Sequence, residues 1–133
     1  MKRKCKLLIE SKAGDRAIYI DLLNSKSQLE FINQNNRYKK KFLFITDLIL
    51  SGIRNSEFYD REEINNNCKG VTAMKFFKGQ ENARIYCKEI KSEDKVFVIV
   101  IVKVLERKKS QKLDKKLICL LETIGSYQYE IIR

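Results

Sequence analysis

Met74-Lys75-Phe76-Phe77-Lys78-Gly79, then Asn82-Ala83-Arg84-Ile85-Tyr86-Cys87-Lys88, then Val96–Val104, then Arg107-Lys108-Lys109-Ser110-Gln111-Lys112 is the stretch whose reading decides the fold. Residues 71–78 alternate Val71, Ala73, Lys75 and Phe77 against Thr72, Met74, Phe76 and Lys78. Residues 83–90 put Arg84, Tyr86 and Lys88 on one face and Ala83, Ile85 and Cys87 on the other, the period of a half-buried strand. Residues 96–105 are apolar on both faces, which predicts a central strand covered on two sides. Lys103 falls in phase with Phe97, Ile99 and Ile101, so it either snorkels out or points into a site. The basic block then opens a helix over Ser110–Ile124, with Leu113, Leu117, Leu120, Leu121 and Ile124 as its inward stripe and Gly125 as its end.

On the N-terminal side, residues 5–10 and Arg16–Leu23 read as strands around a turn at Ala13-Gly14-Asp15. Ser25 or Ser27 caps a short helix over Gln28–Asn33, interrupted by Asn35-Asn36. A second helix over Arg37–Leu50 carries Tyr38, Phe42, Ile45 and Ile49 at helical spacing and closes at Gly52. Lys39, Lys40 and Lys41 crowd its first turn, where the helix dipole disfavours positive charge. Residues 53–70 read as a polar loop and, through Asp60, Glu62 and Glu63, as the one acidic segment. Carboxylates this close in sequence can bind a metal or act as acid and base, although a solvated loop is the commoner outcome. The tail Tyr127–Ile131 alternates like a short closing strand.

The 133-residue length predicts one domain with a single core, and the 44% apolar share argues against overall disorder. A net charge of +11 predicts attraction to a polyanion: nucleic acid, an acidic protein or anionic lipid. No run approaches the ~18 apolar residues of a membrane span, and the basic start Met1–Glu10 lacks the apolar stretch of a signal peptide. The expected setting is therefore cytoplasmic, with no membrane partner. Cys5, Cys68, Cys87 and Cys119 stand far apart without a CxxC pair and read as reduced and buried, so no metal site is expected. The chain has no histidine, which excludes Ser-His-Asp and Cys-His catalysis and leaves proton transfer to Lys, Tyr, Asp or Glu.

The order strand, two helices, three strands, helix resembles the RelE/ParE-like toxins of bacterial toxin–antitoxin systems. Residues 71–116 are most similar to their phage-derived HigB-like branch. The matching parts are Phe77-Lys78-Gly79, Arg84-Ile85-Tyr86-Cys87, the apolar strand Val96–Val104 and Lys108-Lys109-Ser110-Gln111-Lys112. Glu106 stands where that branch carries an aromatic, and its proline near Leu113-Asp114 is missing. The resemblance implies an α+β fold: a small antiparallel sheet with two N-terminal helices and a C-terminal helix packed on it. Residues 1–133 would form this single domain, with 1–25 as an added strand pair. It also implies metal-independent cleavage of mRNA, usually on the ribosome, without a small-molecule cofactor and silenced by a cognate antitoxin protein. A non-catalytic module gripping nucleic acid or ribosome, and a ParE-type gyrase inhibitor, are the alternatives.

Such cleavage needs a fixed cation facing the pentavalent phosphate and groups to move protons. Arg84 matches the family's strand arginine, and its fork suits phosphate; otherwise it pairs with Glu89 or the acidic loop. Lys75, Lys78 and Lys103 are candidates for a lysine whose pKa neighbours lower, or for plain phosphate contact. Tyr127 and Tyr129 stand where related toxins carry a functional tyrosine or histidine. Tyr86 either stacks on a base or packs in the core. Lys88, Arg107, Lys108, Lys109 and Lys112 complete the expected RNA-binding surface, and the block Arg107–Lys116 holds six basic residues against one acid, Asp114.

Overall fold

Ile18, Ile20, Ile99 and Ile101 bury on one side of the sheet and Ala17, Tyr19, Val98 and Val100 on the other, so their strands need cover on both faces. The computed structural model describes residues 2–77, 83–91, 95–105 and 115–132. Its elements run β1 (Arg3–Glu10), β2 (Arg16–Asp21), α1 (Ser25–Ile32), α2 (Asn36–Leu50), β3 (Tyr59–Arg61), β4 (Val71–Lys75), β5 (Arg84–Lys91), β6 (Phe97–Leu105), α3 (Lys115–Ser126) and β7 (Tyr129–Ile132). The strands make one seven-stranded sheet in the order β3-β4-β5-β6-β2-β1-β7. Helices α1 and α2 pack on one face through Phe31, Ile32, Phe42, Ile45 and Ile49. Helix α3 covers the opposite face through Leu117, Leu121 and Ile124.

This architecture corrects the expectation of a small antiparallel sheet with the helices packed on it. The sheet is mixed: β2 runs parallel to β6, and β7 parallel to β1, beside four antiparallel pairings. The hairpin expected as an N-terminal addition supplies β2, a central strand whose Ile18 and Tyr19 are almost fully buried. The stretch read as a plain polar loop contributes β3 on the edge, paired to β4 through Tyr59–Met74 and Arg61–Thr72. Three residues are too few to show a period, which is why the sequence hid this strand.

A register break in β6 changes the reading of Lys103. Tyr86 lies opposite Lys103 and Cys87 opposite Ile101, so Val102 and Lys103 together face one partner residue, the mark of a β-bulge. After the bulge the faces exchange: Val104 packs on the α1–α2 side and Leu105 on the α3 side. Lys103 therefore shares a face with Tyr86, not with Phe97, Ile99 and Ile101. Helix α1 and the residue before it hold this irregular place, since Asn24 donates to the Val102 carbonyl at 2.8 Å and buried Gln28 to that of Ile101 at 3.2 Å.

Two local expectations also change. Gly125 lies inside α3 and permits close packing: a Cβ there would meet the Asn67 carbonyl oxygen at 2.0 Å and Cys68 Cα at 2.9 Å. Cys5, Cys68 and Cys87 are buried and reduced, as their scatter suggested, but Cys119 is exposed on α3.

Candidate nucleic-acid interface

Register brings four of the expected residues together. Lys75 lies opposite Arg84 and Tyr86 opposite Lys103, all on the face covered by α3. Arg84, however, is internally neutralised: its guanidinium donates to Glu62 Oε1 at 3.0 Å, with the side chains only 13% and 16% exposed. Its Nε is buried without a partner, and so is the Tyr86 hydroxyl. Burial, with Glu62 nearby, pushes the Tyr86 phenol up to about 12, so it keeps its proton at neutral pH. Lys75 reaches Asp60 Oδ2 at 3.5 Å and the Ser56 carbonyl at 3.4 Å. Lys103 is exposed.

The other expected residues scatter. Lys88 donates to the carbonyls of Gly125 and Tyr127, both at 2.6 Å, where α3 ends and cations are favoured. Burial lowers its pKa. It is a strap between β5 and the α3–β7 connection. Tyr129 donates to Asp21 Oδ2 at 2.6 Å, and Arg3 meets the same oxygen at 2.7 Å. Asp21 has no exposed surface, and burial followed by the Asp21 bond pushes the Tyr129 phenol up. Tyr127 lies beneath the Arg3 guanidinium, 4.1 Å from the ring centre. Three strand spacings, roughly 14 Å, separate β7 from β6 and its Lys103. Tyr127 and Tyr129 thus close the sheet and do not join Arg84. Lys78, Arg107, Lys108, Lys109 and Lys112 lie outside the described residues.

A different surface carries cations that rest on aromatic rings. Along α2, residues 37, 41 and 44 follow i, i+4, i+7 spacing and share one face. Lys41 Nζ lies 4.2 Å from the ring centre of Phe58, 5.4 Å from Phe44 and 5.8 Å from Phe77. Arg37 stands 3.9 Å over Phe77. Phe44 is 47% exposed and meets Phe58 edge-on at 5.1 Å. Asn35 makes the exposed helix start possible, its side chain accepting from Tyr38 N at 3.0 Å. The clue lay in the sequence: three lysines sit where the helix dipole disfavours them, followed by Phe44 one turn on. The aromatic partners Phe58 and Phe77 come from distant segments, which no local pattern announces.

Beyond the end of α2, this surface gives way to a cavity of about 610 Å³ lined by Arg16, Arg54, Arg61, Tyr59, Glu89 and Phe97 among others. Tyr59 donates to Glu89 Oε1 at 2.9 Å and accepts from Thr72 at 2.8 Å. Burial raises the Tyr59 phenol well above its ordinary range. Among the described residues, no three Cys, Asp or Glu side chains are grouped to hold a metal ion, and no helix is long and apolar enough to cross a membrane. Comparison with family models, curated proteins and solved structures finds no match.

Proposed function

We propose that this protein binds single-stranded RNA across the outer face of α2 and the β3 edge. The carrying observation is Lys41 set among Phe44, Phe58 and Phe77 with Arg37 over Phe77. Rings offer stacking platforms to unpaired bases, worth about 1–3 kcal/mol per base, and the interleaved Lys41 meets the phosphates between them. The net charge of +11 supplies long-range attraction, and the acids Asp21 and Glu62 are already consumed by internal bonds. Binding of an oligouridylate, followed by fluorescence anisotropy, tests the reading. Affinity falls with salt by about 0.7 log units per decade for each phosphate contact, and Lys41→Glu weakens it at constant fold. Equal binding by wild type and Lys41→Glu removes the proposal.

A second reading is favoured by the alignment of Lys75, Arg84, Tyr86 and Lys103 on one face. It is the mRNA-cleaving toxin, restrained by an antitoxin, with Arg84 stabilising the phosphate once RNA displaces Glu62. Primer extension on mRNA after induced expression decides it: specific cuts support the toxin, and intact mRNA with unimpaired growth argues for the binding role alone.

A further inference from the structure

We infer that the cavity beyond the end of α2 is a pocket for a guanine nucleotide, either splayed out of a bound RNA or free in solution. The inference deepens the RNA-binding reading for the first source and stands without it for the second. The cavity of about 610 Å³ is large enough for a nucleotide, within the roughly 300–1,000 Å³ of small-molecule sites. It divides chemically. Ile49, Ile53 and Phe97 give an apolar wall for a base. Glu89 supplies a carboxylate whose Oε1 is fixed by Tyr59, while no hydrogen bond among the described residues reaches Oε2. Tyr59 is itself held by Thr72, so the acceptor pair is set before any ligand arrives.

Guanine is the base this carboxylate suits. Its Watson–Crick edge presents two adjacent donors, the ring N–H and the exocyclic amino group, to two carboxylate oxygens. Adenine and cytosine offer an amino donor beside a ring acceptor, which repels Glu89, and uracil offers one N–H between two carbonyls. The opposite requirement, a cation for phosphate, is met by two further lining residues, Arg54 and Arg61. Among the described residues, Arg54 is exposed and makes no hydrogen bond or ion pair, and the Arg61 guanidinium has only a distant contact to Glu63 at 3.9 Å. Arg16 is committed to structure: it donates to the Ile49 carbonyl at 3.1 Å and covers Phe97 at 4.7 Å. The cavity and the basic aromatic surface share the segment through residues 55–59, since Asn55, Ser56 and Tyr59 line one and Phe58 belongs to the other.

Isothermal titration with GMP, IMP, AMP and CMP, beside oligouridylates with and without one guanosine, tests the pocket. GMP binds best, and IMP, lacking the amino donor, binds about tenfold more weakly. Glu89→Gln keeps an acceptor for Tyr59 yet abolishes the preference for GMP, and Arg54→Ala lowers affinity for GMP but not for guanosine. Arg54 is exposed, so that variant folds even if Glu89→Gln does not. Equal affinity for GMP and CMP, or an unchanged preference in folded Glu89→Gln, overturns the inference. The two readings fail separately: oligouridylate binding without a guanosine advantage removes the pocket alone. GMP binding without oligouridylate binding leaves the pocket as a free-nucleotide site and removes the RNA surface.

Discussion

Two sites on opposite faces of the sheet treat positive charge in opposite ways. On the α3 face, Arg84 meets Glu62, Arg3 meets Asp21 and Lys88 meets the carbonyls at the end of α3. On the α2 face, Lys41 leans on aromatic rings, which orient a cation without cancelling its charge. A cation paired inside the protein holds the fold; one resting on a ring remains available to a phosphate. Among the described residues, Arg84, Lys75 and Lys88, all expected from sequence to touch RNA, fall in the first class, while Lys103 is exposed.

Stability measurements can break this contrast, beginning with the largest effect. Arg84→Ala leaves Glu62 as an uncompensated, mostly buried carboxylate and costs about 3–5 kcal/mol in urea unfolding, whereas Lys41→Ala stays within roughly 0.5 kcal/mol. Similar costs for the two would erase the distinction. Gly125→Ala forces the backbone of Asn67 and Cys68 away and lowers stability by about 1–3 kcal/mol, read as a drop in the urea midpoint. Tyr86→Phe removes a buried hydroxyl that has no partner, and stability rises by about 1 kcal/mol. A loss instead would mean that the hydroxyl has a partner in solution.

The smallest effect is a pH dependence. The Tyr59, Tyr86 and Tyr129 phenols are all raised by burial above their ordinary value of 10.0, Tyr86 to about 12. Above pH 10 the unfolded chain loses phenolic protons that the folded chain keeps, so stability falls as pH rises. The contribution is full below pH 10 and, for Tyr86, is lost through about pH 12. Tyr86→Phe flattens part of that decline, which urea unfolding at stepped alkaline pH measures.

The sequence made the strands legible where side chains alternate over five or more residues, as in Arg84–Lys91 and Phe97–Leu105. It also made α2 legible through Phe42, Ile45 and Ile49. What stayed hidden was non-local. No residue pattern announces that β2 pairs with β6 in parallel, or that β7 returns beside β1. The bulge at Lys103 shows in the sequence only as one lysine in an apolar run, and strict alternation then assigns the wrong face. Arg84 illustrates the limit for sites. Its strand and face were readable, and the acidic loop was an open partner, but only the fold brings Glu62 to 3.0 Å.

Photocrosslinking of a 4-thiouridine-substituted oligouridylate, with the attached residues identified by mass spectrometry, locates the RNA on the protein surface. Attachment is expected at Phe44, Phe58 and Phe77, and is lost in high salt. Attachment confined to Tyr127 and Lys103, on the α3 face, would overturn the RNA surface on α2.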